Sequence, residues 1–140
     1  MERWVLYAAI SMIFAGFTSV VAKLGLAGIS GDLGLAIRTV FVFVFVLAFA
    51  GVVVPRTELN AVSMNNVAWL ALSAVTTTLS WVFYYKAIKL GDVSTVALID
   101  KGSVVVAVLM ATFILKESLT VQKMIGAALI VAGLLVIARK

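Results

Sequence analysis

Five apolar stretches, each long enough to cross a lipid bilayer, occupy most of this chain. They run from Trp4 to about Leu26, Leu33 to Val54, Val67 to Ile88, Val93 to Leu115 and Val121 to Ala138, that is 23, 22, 22, 23 and 18 residues. A helix rising 1.5 Å per residue needs about 20 such residues to span the hydrocarbon. Lipid offers the backbone no water to bond, so a spanning segment must be a helix or part of a closed barrel. The alternating segments of about ten residues that a barrel requires are absent. The run Phe41-Val42-Phe43-Val44-Phe45-Val46 has the β-branched and aromatic content of a strand. A lone strand would leave its backbone unpaired in lipid, so the run reads as a Phe-rich helix facing mostly lipid. The expected fold is all-α: a single integral-membrane domain over residues 1–140 with five transmembrane helices.

Composition agrees and excludes several functions. The chain is 64% hydrophobic and 12% charged, with a mean hydropathy of +1.23, outside the soluble globular range. Met1-Glu2-Arg3 before an apolar stretch resembles a signal peptide. The stretch is too long for one and the rest of the chain is equally hydrophobic, so it reads as a retained span. A multi-pass protein of the plasma (inner) membrane is expected. With no cysteine there is no disulfide or thiolate metal site, and with no histidine the commonest general base is missing. No phosphate loop, activated nucleophile or metal cluster can be traced, so no enzyme activity, cofactor or metal is expected. The net charge of +5 has no basic soluble domain to carry it. It points to positive loops at the lipid surface, not to nucleic acid.

Turn and cap residues separate the stretches: Gly28-Ile29-Ser30-Gly31-Asp32, Pro55-Arg56, Gly91-Asp92 and Lys116-Glu117-Ser118. Asp92 and Ser118 suit helix N-caps. Between Pro55 and Asn66 there is room for a short interfacial helix with Leu59 and Val62 on one face. Five spans place Arg3, Arg56, Lys116 and Lys123 on one side of the membrane. Lys23, Arg38, Lys86, Lys89, Arg139 and Lys140 fall on the other, and Lys101 within it. Six against four is a weak positive-inside bias, favouring the C-terminus inside and compatible with insertion in both orientations.

Charges inside the fourth stretch are the main functional pointer. Asp100 lies about 10–12 Å from its start, at 1.5 Å per residue, and Lys101 follows directly. A charge near mid-bilayer costs from about 3 to more than 10 kcal/mol and persists where it faces partners or water. Adjacent helical residues point about 100° apart, so the two are not expected to neutralise each other. Asp100 can bond Ser94 or Ser103 locally, while Lys101 needs a partner from elsewhere, and Gly102 tolerates a kink there. At the same level lie Arg38 on the second helix and, on the third, Trp81 and Tyr85, four apart on one face. With Lys23 and Lys86 they would form a cationic vestibule holding one acid, suited to an anionic or zwitterionic solute. Blander readings stand beside these. Lys23, Lys86 and Lys89 read as snorkelling anchors, Tyr84 and Tyr85 as interfacial-belt residues, and Asp100-Lys101 as an ion-pair network holding helices. Thr76-Thr77-Thr78 with Ser80 either bond carbonyls or line a path. In the last helix Gly126 and Gly133, with Ala128 and Ala132, offer small surfaces for helix packing, between subunits or within one.

From Tyr84 to Ala138 the chain resembles the C-terminal portion of an EamA-type domain of the drug/metabolite transporter superfamily. The resemblance is carried by Tyr85 and Ala87 before Gly91, Ser94 with Val96, Glu117 with Leu119-Thr120, and Gly126 to Gly133. Asp100-Lys101, where many two-repeat members carry proline, and Arg38-Thr39 resemble the short five-span bacterial and archaeal branch. The resemblance implies half of a ten-helix inverted-repeat fold and the export or uptake of small metabolites or drugs. The related small multidrug resistance transporters couple protons through a glutamate in the first helix. Here that helix reads WVLYAAISMIFAGFTSVV and holds no acid. The Gly126/Gly133 spacing resembles their dimerising last helix.

The expected function is a small transporter working as an antiparallel homodimer in the bilayer on a small-molecule solute. Its path would use Asp100, Lys101, Arg38, Trp81, Tyr85 and Ser103. A non-transporting accessory subunit and a binder or flippase of lipid headgroups are the alternatives.

Overall fold

The computed structural model describes residues 2–138; Met1, Arg139 and Lys140, which entered the reading of the N-terminus and of charge topology, lie outside them. Six α-helices follow in order: α1 (Arg3–Gly25), α2 (Gly31–Val53), α3 (Met64–Leu90), α4 (Val93–Asp100), α5 (Ser103–Ile114) and α6 (Val121–Ala138). α1, α2, α3 and the stretch Val93–Ile114 are each long and apolar enough to span a membrane, and α6 is a shorter apolar helix. The Phe-Val run is part of α2. Between α2 and α3 the interfacial segment forms a 3₁₀ helix, Arg56–Ala61.

Helix boundaries follow local chemistry. The Ser30 side chain accepts from Leu33 N–H at the start of α2. α2 stops before Pro55, which holds Val54 in extended backbone. Ser63 accepts from Asn66 N–H at 3.2 Å where α3 begins. Asp92 caps α4 as expected, its carboxylate accepting Thr95 N–H at 2.8 Å. The expected cap at Ser118 is corrected: α6 begins at Val121, and Thr120 Oγ1 accepts from Lys123 N–H at 3.3 Å. An N-cap must directly precede its helix for its oxygen to reach the second or third N–H.

The stretch expected as one span from Val93 to Leu115 is broken in two. α4 ends at Asp100, and Lys101-Gly102 form a tight turn before α5. Gly102 N–H bonds Ile99 O at 2.9 Å, and Val104 and Val105 N–H bond the Lys101 and Gly102 carbonyls at 3.1 and 3.0 Å. These i→i−3 bonds tighten the chain locally. A Cβ on Gly102 would lie 2.9 Å from Leu134 Cδ1 of α6, so the bare turn gives α6 room.

The chain divides into two compact units, Val21–Leu90 and the remainder. In the remainder, α4 and α5 pack on α6. The inward face of α6 carries Ala127, Ile130, Leu134 and Ile137, whereas Gly126, Gly133, Ala128 and Ala132 are exposed. At 3.6 residues per turn the alanine pair points more than about 90° away from the glycine pair, so the four residues make two surfaces.

In the other unit α2 packs on α3, around Leu26, Leu35, Tyr85 and Ile88, the last fully buried. Two glycines at the start of α2 allow this. A Cβ on Gly31 would sit 2.8 Å from the Tyr85 carbonyl oxygen, and one on Gly34 would strike Leu26 Cδ2. Lysines fasten the helix ends. Lys23 Nζ donates to Ile88 O and, at 3.4 Å, to Lys89 O. Lys89 Nζ returns a bond to Leu26 O at 2.9 Å. Lys86 Nζ pairs with Asp32 Oδ1 at 3.5 Å. These lysines, read from the sequence as snorkelling anchors, hold carbonyl and carboxylate oxygens of their own unit. The last carbonyls of a helix lack intrahelical donors and carry partial negative charge, which attracts an ammonium.

Gly31→Ala is expected to destabilise by about 1–3 kcal/mol, because the obstacle is backbone, and Gly34→Ala by less, because a leucine methyl can turn aside. Helix melting followed by circular dichroism in detergent orders the two; equal losses would contradict the account. Lys89→Met, which keeps the apolar stem, should cost about 1–2 kcal/mol through its lost charge-assisted bond, read from the same melts.

Candidate functional site

Arg38, Trp81 and Tyr85 come together in the unit Val21–Leu90. Arg38 stands two turns into α2, and Trp81 and Tyr85 project from one face of α3. The guanidinium carbon lies over the Trp81 ring, 4.5 Å from its centroid, and 5.9 Å from that of Tyr85. Tyr84 meets Tyr85 edge-on at 6.4 Å. Tyr85 is buried, whereas Arg38, Trp81 and Tyr84 are partly exposed. Arg38 Nη1 is buried and makes no hydrogen bond among the described residues. Lys86 in the same unit holds Asp32, so the expected cationic cluster separates into fastened lysines and one arginine on aromatic rings.

Magnitudes decide what the rings do for Arg38. A cation over an aromatic face gains about 0.5–2 kcal/mol. Leaving a buried donor unmade costs about 1–3 kcal/mol, and more when the donor is charged. The rings position the guanidinium and offset part of its desolvation, but they accept no hydrogen bond from Nη1 in its own plane. An oxygen acceptor placed there would complete the group.

Asp100, Lys101 and Ser103 lie in the other unit, at the break between α4 and α5. Contrary to the expectation from helix geometry, Asp100 and Lys101 do meet, Nζ to Oδ2 at 3.7 Å, with both side chains partly exposed. The four-carbon lysine stem reaches back although the residues are adjacent, and Lys101 caps α4 beyond the regular helix. An exposed pair at that separation contributes at most about 1 kcal/mol. Ser94 bonds Asp92 Oδ2 at 3.0 Å, not Asp100. Ser103 is the first residue of α5.

A cavity of about 440 Å³ in this unit is lined by Ala15, Gly16 and Ser19 of α1, Ser94 and Ala97 of α4, and Lys101. The α1 residues were missed in the sequence reading. Their signal was a small-residue face, Ala15, Gly16 and Ser19 at helical spacing, in a span otherwise rich in large side chains. In the unit of Arg38, a groove of about 510 Å³ is lined by Asp32, Thr39, Phe43, Thr78 and aliphatic neighbours. Thr76 and Thr78 Oγ1 bond the Ser73 and Ala74 carbonyls at 2.9 and 2.8 Å. Among the described residues no group of three or more acids is placed to hold a metal ion.

Membrane-length helices, intramembrane charges and a cavity that Lys101 helps to line are joined by one further observation. The model of the EamA-like transporter family matches residues 2–139. This chain belongs to the EamA-like transporter family. A protein of a Sinorhizobium species, described as an uncharacterized transporter in the cobO 3′ region, is 34% identical over 137 residues, 98% of this chain and 97% of the relative. No solved structure matches the chain. The EamA resemblance inferred from residues is therefore borne out over essentially the whole length. The chain is a multi-pass, all-helical membrane protein of a transporter family.

The turn between α4 and α5 of this EamA protein is testable. Gly102→Leu drives a side chain into Leu134 and should cost about 1–3 kcal/mol by overpacking. Pairing it with Leu134→Ala should restore part of the loss in a double-mutant melt.

Proposed function

We propose that this EamA protein carries a small metabolite or drug across the membrane as an antiparallel homodimer, with Arg38, Trp81, Tyr85, Asp100, Lys101 and Ser103 lining the solute path. The observation that carries the reading is Arg38, a permanently charged group within a membrane-spanning helix, over aromatic rings and with a buried donor, Nη1, that is unused among the described residues. Structural ion pairs in membranes satisfy their members; a solute site keeps a donor for its ligand. The cavity beside Lys101 adds space next to a second cation, and Asp100 supplies the one titratable acid near it.

The exposed glycine surface of α6 supports the dimer. A Cβ on Gly126 or Gly133 would meet nothing within 4 Å in its own chain, and small surfaces let helices from two subunits approach in lipid. Ala128 and Ala132 provide a second such surface. The weak charge bias supports insertion in both orientations, and paired inverted units are a common way to build a transport site between them.

Reconstitution tests the path. Purified protein in liposomes should accelerate solute entry over empty vesicles, and Arg38→Gln and Asp100→Asn should each slow it about tenfold or more with helix melting retained. If no tested solute moves faster than through empty vesicles, the accessory-subunit reading replaces this one. Because the chain has no cysteine, single cysteines report orientation and pairing cleanly. A cysteine at Thr57, in the 3₁₀ helix, should be open to an impermeant maleimide in only about half of the molecules. Uniform labelling or uniform protection would exclude an antiparallel pair.

A further inference from the structure

The unit that holds Arg38 also limits what can bind to it. We propose that Arg38 is a receptor for a single carboxylate on an otherwise uncharged solute, which excludes zwitterions and dianionic phosphates. The inference rests on the solute-path reading for its role in transport, and on geometry alone for the binding step.

Charge balance leads there. Within Val21–Leu90 the acids are Asp32, already paired with Lys86 at 3.5 Å, and Glu58, in the 3₁₀ helix beyond α2. Neither is available to neutralise an ammonium carried in beside Arg38. The lysines of this unit are committed as well, Lys23 and Lys89 to carbonyl oxygens and Lys86 to Asp32. Arg56 lies apart in the 3₁₀ helix beyond α2, and the lysine ammonium groups are held at helix ends. The one guanidinium on the aromatic rings is therefore Arg38, and it matches one negative charge. A dianion would bring a second charge with no partner into a low-dielectric setting, where that is heavily penalised.

Shape agrees with charge. The Trp81 ring covers one face of the guanidinium and Tyr85 stands near it, so new hydrogen bonds must form in the guanidinium plane. A carboxylate is itself planar and takes two parallel N–H bonds from an arginine fork. Nη1, buried and unbonded, is one such donor. The guanidinium is flanked by the aromatic rings of Trp81 and Tyr85, which suits an apolar remainder of the solute.

Three probes that differ in one feature test this: 3-phenylpropionate, its amide, and phenylalanine, which adds an α-ammonium to the same acid. Each is titrated against the detergent-purified full chain, following the melting temperature, which rises when a ligand binds the folded state only. 3-Phenylpropionate should raise it saturably, with the amide and phenylalanine at least about tenfold weaker. Phenyl phosphate as its dianion should be weaker as well. Arg38→Lys, which keeps the charge but loses the planar fork, should weaken 3-phenylpropionate by about tenfold or more while the unliganded melting temperature stays near that of the parent. Equal binding of the amide or of phenylalanine, preference for the phosphate, or no response to 3-phenylpropionate in the parent protein overturns the assignment. Binding without vesicle flux would remove the transport reading and leave the receptor standing. Flux of other solutes without carboxylate binding would do the reverse.

Discussion

Lipid leaves no polar backbone group a partner outside the protein, and the rest of this structure depends on that constraint. Inside each helix the requirement is met by the helix itself. At the ends it is not, since the last four carbonyls and first four N–H groups have no intrahelical partner. The chain answers at several junctions with a side chain. Ser30 and Asp92 cap α2 and α4, and Lys23 and Lys89 close the C-terminal ends of α3 and α1 on one another. The two lysines therefore act as mutual helix caps, and their ammonium groups sit where the helix dipoles favour positive charge.

Once the helix ends are closed in this way, the remaining charges stand out by what they lack. Arg38 has rings, and its buried Nη1 has no acceptor among the described residues. Asp100 and Lys101 have each other, at a distance and exposure that hold little energy. Both places also relax the regular fold. Arg38 follows the glycine-bearing start of α2, and Asp100-Lys101 mark the point where a span-length apolar stretch breaks into α4 and α5. A broken span frees space without exposing backbone to lipid, because tight i→i−3 bonds take over at Gly102.

Much of this was legible in the residues. Trp81 and Tyr85, four apart at the level of Arg38, were grouped with it from helix periodicity, and the structure places the three together. The tolerance of Gly102 for a kink was also readable, because glycine beside two intramembrane charges has few other uses. Two points were not. Helix geometry says that neighbours diverge, yet the flexible stem of Lys101 closes the gap to Asp100. Snorkelling says that terminal lysines reach for water, yet Lys23 and Lys89 reach for carbonyls of another helix. In both cases the missing information is the position of a partner that is distant in the chain or depends on side-chain conformation.

The residues alone determined that this chain is helical and membrane-embedded, because apolar length and backbone satisfaction in lipid admit no other architecture, and their motifs pointed to its family. Tertiary structure alone decided which charges are spent and which are kept. Hydrophobic patterning specifies faces and lengths, but the pairing of an ammonium with a carbonyl 63 or 65 residues away depends on which helix ends meet. That meeting is set by Gly31 and Gly34 letting α2 close on Tyr85 and Leu26, and it leaves Arg38 Nη1 with no acceptor among the described residues.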